Sequence, residues 1–548
     1  MMLENFDPTT IQDEALRQVV IFLMNQVESL HAQVQEQAEE IQQLRDENNR
    51  LKGEQGKPVV RPNKPAADLS SRKERRESKF HKKGCKQTEI RIDRIEVLKV
   101  VTELLPTDAV FKGYDEVVVQ DLDFRTDNVK FRKEKFYSAS EKRTYLAEMP
   151  PGYTGQFGPG VRAWVLALYY AAGMSEPKIL ELLHTIGLQI SSGQLSDFLI
   201  KKQEQFHTES QDVLRAGLTS SSWQHLDSTA TRIDGKSQNC HVLCNPFYTF
   251  YCTLPAKDRL SFIKVLLGGK EPRFRLNERA LSLLEEVGVA KRWRTKLGKF
   301  SQDQDWSEGE LDELLDKQLP KLGPTPRKHI KDMLAIVAYQ SQPTFPVVEL
   351  LVCDDAPQCQ LLTAELALCW LHEWRHYKKL MPRIAYHHKR LKEFGDAFWK
   401  LYRQLLAYRQ TPSQKEAEYL RSQFERLFGQ ATGYEQLDER MAMTLAKKER
   451  LLMVLRHPEI PLHNNPAELG ARQRVRKRDV SLQARTKEGI AAWDSFQTLV
   501  ETAKKLGVNI YCYVRDRITQ HNQLPSLATL IMEQSKERRL DASWVSSQ

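Results

Sequence analysis

The chain has 548 residues and a formal net charge of +10, too long for a single core of about 100–200 residues, so three or four structural units are predicted. Its excess of cations suits phosphate-rich partners. A membrane partner is excluded by the lack of any run of about 18 uncharged apolar residues, and the acidic, polar start is unlike an export leader. The eight cysteines are scattered beside apolar residues, as buried thiols in a reducing compartment are, and Cys240 and Cys244 read as packed strand residues.

The first element, over residues 1–52, reads as a coiled-coil dimerisation helix. Leu16, Leu23, Leu30, Leu44 and Leu51 repeat at one seam position and Val20, Val27, Val34, Ile41 and Asn48 at the other. β-branched residues facing leucines favour a two-stranded parallel pair, with Asn48 setting its register. Residues 53–87 are Gly-, Pro-, Lys- and Arg-rich and predict a basic, flexible linker suited to nonspecific phosphate contacts. Residues 88–160 hold short Val/Ile/Phe/Tyr runs, such as Glu116 to Leu122 and Lys130 to Tyr137, between turn residues, and predict a small strand-rich module. Over 161–217 the period becomes helical. Ser175-Glu176-Pro177 opens one helix that Gly187 ends, and Ser191-Ser192 opens the next, the outline of a helix-turn-helix DNA-binding region or of a plain helical hairpin.

Residues 218–515 predict a mixed α/β catalytic domain. Ser222 to Ile233 reads as a strand and Asp234-Gly235 as a hairpin turn; Asn239 to Cys244 and Phe247 to Leu254 complete an antiparallel meander. The apolar run Phe345 to Cys353 then delivers Asp354-Asp355 at its carboxyl end. Next, Asn464-Asn465-Pro466 opens a helix with Glu468 in its first turn and Arg472, Arg474, Arg476, Lys477 and Arg478 downstream, carboxylates for a hard cation followed by cations for flanking phosphates. Helical insertions are expected near 270–340 and 382–457, and a C-terminal tail over 516–548.

The Asp354-led strand end, Leu368-Cys369-Trp370-Leu371-His372-Glu373-Trp374-Arg375-His376, Asn464-Asn465-Pro466-Ala467-Glu468, and Gly489 to Leu506 with Glu501-Thr502-Ala503-Lys504 resemble the insertion sequence 66 family of bacterial transposases or a close sister group. That resemblance implies an RNase H-like fold and a DNA transposase of the DDE type. Its acids, by position, are Asp227, Asp354 and Glu468, with Asp355 as the rival to Asp354 because the family often has glycine after this acid. It further implies two Mg2+ ions per site, with Mn2+ as a substitute, and double-stranded DNA (element terminal repeats and target) as substrate. A homodimer or higher oligomer, small accessory proteins of the same element and a place in the bacterial cytoplasm on the nucleoid are also expected. Where relatives carry paired cysteines ahead of the catalytic domain this chain has only Cys85, which argues against a zinc module. The alternative reading is a catalytically inactive, transposase-derived dimeric DNA-binding regulator.

Overall fold

The computed structural model of the chain describes residues 6–51, 92–100, 111–121, 126–153, 155–300, 302–481 and 484–538. The expected basic linker and Cys85 lie outside these residues. Helix α1 (Glu14–Leu51) covers the heptads, but its valine seam is partly engaged within the chain: Val20, Met24 and Val27 pack on Ile384 and Tyr386. The leucine seam stays open, with Leu16, Leu23, Leu30 and Leu44 each more than half exposed, and Asn48 is exposed too.

Among the described residues of the expected strand-rich module, β1 (Lys135–Ser138) and β2 (Arg143–Leu146) form a hairpin. No strand forms over the described residues 116–121, where Val117 and Val119 are 78% and 79% exposed. Their alternation has no apolar layer to face, and a strand without a partner does not hold. Helices α2 (Pro159–Leu166), α3 (Glu176–Thr185), α4 (Ser192–Ile200) and α5 (Glu204–Thr219) follow. The hairpin α3–α4 turns through Gly187 at φ 88° and buries Ile179, Leu183, Leu195 and Leu199 in the core.

The sheet has strand order β5-β4-β3-β8-β9. Strands β3 (Trp223–Ile233), β4 (Lys236–Cys244) and β5 (Thr249–Leu254) are the predicted meander, and Asp234 and Gly235 both adopt positive φ (47° and 74°) at its first turn, the backbone a two-residue hairpin requires. Strands β8 (Leu350–Cys353) and β9 (Glu365–Leu368) add in parallel beside β3. Between β5 and β8 come α6 (Arg259–Leu266), α7 (Glu278–Glu286), α8 (Lys291–Leu297), α9 (Glu308–Gln318) and α10 (Pro324–Ser341), with a small pair, β6 (Phe274–Arg275) and β7 (Asp305–Trp306).

After β9 run α11 (Trp370–Tyr377), then α12 (Ala385–Tyr408), α13 (Gln414–Gly429), α14 (Glu435–Leu445) and α15 (Lys448–Leu451), then α16 (Asn465–Ser481) and α17 (Lys487–Leu506). Helix α17 seals the open edge of β5: Thr498 and Thr502 accept the amides of Tyr251 and Thr249 at 3.0 and 3.2 Å, and Asp494 accepts that of Thr253 at 2.7 Å. Side chains four residues apart on one helix face thus meet alternate amides of the strand, which leaves no edge for another chain to pair with. The segment expected as a tail folds: α18 (Ile510–Ile518) spans the expected boundary, and α19 (Leu527–Glu537) buries Leu527 and Ile531. No helix among the described residues is long and apolar enough to cross a membrane.

Candidate active site

Asp227 of β3 lies opposite Val242 of β4, which lies opposite Tyr251 of β5. Residues so paired share a face, and on that face Ala471 of α16 packs against Cys240, Val242 and Tyr251. The helix comes this near because residue 470 is glycine: a Cβ there would stand 2.8 Å from Val242 Cγ1. Tyr251 Oη donates to the Gly470 carbonyl at 3.0 Å, and Glu468 is thereby held above the strand that carries Asp227. In the parallel register His225 pairs with Val352; Asp227 follows two residues on within β3, and Asp354 comes directly after β8 ends at Cys353.

Asn464 ties these elements together. Its buried side chain donates to the Leu226 carbonyl at 2.8 Å and accepts from His225 Nδ1 at 2.9 Å, while its backbone amide meets Cys369 Sγ at 3.2 Å. Either asparagine of the Asn464-Asn465 pair could cap the helix; in the structure the Asn464 amide group reaches across to β3. Burial drives His225 down to about 3, so the ring is neutral and its Nδ1–H fixes the asparagine.

Asp227 feels the other two acids. Burial pushes the Asp227 carboxyl up to about 6, and the charges of Asp354 and Glu468 add to it, against the Ser228 amide that donates to Asp227 Oδ1 at 2.7 Å and the charge of Lys257. Neighbouring carboxylates form a hard-oxygen donor set whose repulsion a divalent cation relieves, so the residues fit such an ion. Their ligand atoms are nonetheless spread. Among the described residues the tight groupings, with ligand atoms within 4.8 Å of one another, are Cys353–Asp354–Cys359 and Cys369–His372–Glu468. Glu468 is turned toward Arg375, whose Nη2 lies 2.8 Å from Oε2. Asp355 is engaged elsewhere: Lys447 Nζ stands 2.6 Å from it and 3.3 Å from the buried Glu373.

The five cations of α16 part company. Arg474 is buried, ion-paired with Asp494, and lies 5.7 and 5.3 Å from the ring centres of Tyr251 and Trp493. Lys477 is buried over the Tyr169 ring and donates to the Met174 carbonyl at 2.9 Å, and burial lowers its ammonium to about 7. Both side chains are thus covered by the protein itself, Arg474 by the sheet and α17 and Lys477 by the Tyr169–Met174 segment. Arg478 donates to the Ala230 carbonyl at 2.7 Å, whereas Arg476 is exposed and Arg472 half-buried. Arg472, Arg476 and Arg478 therefore keep solvent-accessible surface.

Residues 350–492 match the family model described as "Transposase IS66 family". This stretch is similar to the transposase domain of the IS66 family. The matched stretch begins with β8, holds Asp354, α11 and Glu468, and ends within α17, while Asp227 and the meander precede it. An "Uncharacterized protein y4jO" from Sinorhizobium fredii (strain NBRC 101917 / NGR234) is similar to this chain, 29% identical over 328 residues that cover 58% of the chain and 99% of the relative.

Proposed function

We propose that the protein is a DNA transposase in which Asp227, Asp354 and Glu468 hold two divalent cations that serve cleavage at element ends and transfer of the freed strands to target DNA. The observation that carries this reading is half-buried Asp227, whose carboxyl is raised by burial and by the charges of nearby Asp354 and Glu468, in a chain whose residues 350–492 match the IS66 transposase family. The strand order β5-β4-β3-β8-β9, an antiparallel meander followed by two parallel strands, supports an RNase H-like catalytic fold. The engagement of Asp355 with Lys447 favours Asp354 as the second acid.

A bound pair of Mg2+ ions, or Mn2+ in their place, supplies activation of the attacking water or hydroxyl and stabilisation of the leaving oxygen. The chain's own part is placement. One acid sits on β3, the second just past the end of neighbouring β8 and the third on a helix seated by Gly470, with Asn464 locking the helix start to β3. Arg472 and Arg476 are placed for flanking phosphates, and the open leucine seam of α1 supports a homodimer that holds two ends of one element together on the bacterial nucleoid.

The test is incubation with Mg2+ and DNA carrying candidate terminal repeats, comparing wild type with Asp227→Ala, Asp354→Ala, Asp355→Ala and Glu468→Ala. Cleavage is expected in wild type and Asp355→Ala and absent in the other three. Cleavage that survives loss of Asp227 or Glu468 overturns the site, and DNA binding without cleavage by the wild type returns the chain to the regulator reading.

A further inference from the structure

The reading of Asp227, Asp354 and Glu468 as metal-binding acids leaves a conflict at Glu468, whose carboxylate is occupied by a cation of the chain itself. Arg375 Nη2 donates to Glu468 Oε2 at 2.8 Å, and Nη1 meets His372 Nε2 at 2.7 Å. A guanidinium has only donors, so His372 Nε2 accepts and the neutral ring carries its proton on Nδ1. That atom lies 3.5 Å from Glu468 Oε1. Both are buried and neither makes a hydrogen bond. One carboxylate oxygen is therefore satisfied by the arginine, while the other faces an imidazole N–H too distant to bond it.

The arginine, not the helix, is the part free to move. Helix α11 is anchored by Trp370, fully buried with its Nε1 on the Leu451 carbonyl at 2.8 Å. It is anchored again by Glu373, which pairs with Arg440 and Lys447. Arg375 projects outward, its side chain 44% exposed against 18% for Glu468. Such a partly exposed pair is weak, and a phosphate diester offers the guanidinium the same two-pronged acceptor geometry as a carboxylate.

We propose that Arg375 is a phosphate-binding residue of the active site, parked on Glu468 in the DNA-free protein, and that its transfer to a backbone phosphate of the substrate releases Glu468 to the metal. DNA and metal then bind with positive coupling, and the acid set completes only when a phosphate is present. This rests on the metal-binding reading above, and its test separates the two.

Mn2+ binding to the full-length protein, without DNA, is measured by electron paramagnetic resonance for wild type, Arg375→Ala, Arg375→Lys and Asp227→Asn. Removing the competitor makes Arg375→Ala bind about two- to five-fold tighter than wild type, with Arg375→Lys between them and Asp227→Asn much weaker. Equal or weaker binding by Arg375→Ala, with Asp227→Asn still impaired, overturns the parking of Arg375 and leaves the acids standing. Binding indifferent to Asp227→Asn overturns the acid reading itself. For the phosphate contact, the affinity of a mixed-sequence 30-base-pair duplex is followed against salt, and Arg375→Ala lowers the log–log slope by about one. An unchanged slope overturns that role. Because Arg375 is exposed and outside the core, circular dichroism of both variants is expected to match wild type.

Discussion

Gly470→Ala puts the seating of Glu468 to a quantitative test. In an exposed helix the change stabilises by about 1 kcal/mol, since glycine is a poor helix former. Here the new methyl lies 2.8 Å from Val242 Cγ1, with Tyr251 Oη at 3.4 Å and Thr249 Cγ2 at 3.5 Å. The first contact is about 0.7 Å inside the usual carbon separation of about 3.5 Å, and Val242 is a stiff β-branched residue, itself fully buried in an interior strand. Overpacking of this kind costs about 1–3 kcal/mol. The net loss of stability should therefore be about 0–2 kcal/mol, no more than a modest drop in melting temperature. The relief available is for α16 to ride off β4 by several tenths of an ångström, which carries Glu468 away from Asp227, and displacement of a catalytic group by about 1 Å can cost on the order of 100-fold in rate. The expected signature is thus a rate loss far larger than the stability loss, read from Mg2+-dependent strand cleavage beside a thermal melt. Val242→Ala in the same chain should restore part of the rate. A Gly470→Ala protein that is more stable and fully active would show that the close approach does not position Glu468.

Three further outcomes follow from the same geometry. The Asp227 carboxyl is raised to about 6, above its unfolded value of about 3.9, so the folded state binds the extra proton; metal-free protein should lose stability as pH rises from about 4 through 6. Melts in a chelator should show that loss in wild type and not in Asp227→Asn, and Mg2+ should reverse it above pH 6. Arg474→Ala strands Asp494 without its buried partner and should cost about 3–5 kcal/mol, whereas Arg476→Ala should leave the melt within about 0.5 kcal/mol and lower the salt slope of DNA binding by about one. Lysines in place of exposed Leu16, Leu23 and Leu30 should give a monomer by light scattering at an unchanged melting temperature; a dimer that persists would place the contact elsewhere.

The parts of the fold that were legible are those whose signal is local. The Asp234-Gly235 turn, the apolar run into Asp354 and the Pro466 helix start each combine a backbone requirement with neighbours in sequence. What was hidden depends on long-range partners. Arg474 and Lys477 look like solvent-facing cations in an arginine-rich helix, and only Asp494, Trp493 and Tyr169, brought by other elements, reveal that this face is covered. Asn464 resembles a cap until His225 and the Leu226 carbonyl are brought beside it. The converse holds for Glu116 to Leu122, whose pattern promised a strand although nothing apolar lies against the described part. At the C-terminus, Ser526 with Leu527 and Ile531 four apart was a helix signal that the tail reading passed over.

The docking of α1 gives the protein a mechanical connection. Buried Glu28 accepts the backbone amides of Arg383 and Ile384 at 2.6 and 3.2 Å and contacts His387 Nδ1 at 3.1 Å, while Asn25 clasps the Gly433 carbonyl and the Glu435 amide. The long helix is thereby rooted at both the start of α12 and the start of α14, in the segment that separates β9 from Asn464. That segment also carries Lys447, which pairs with Asp355 and Glu373, so the root of the long helix and a contact beside Asp354 belong to one stretch of chain.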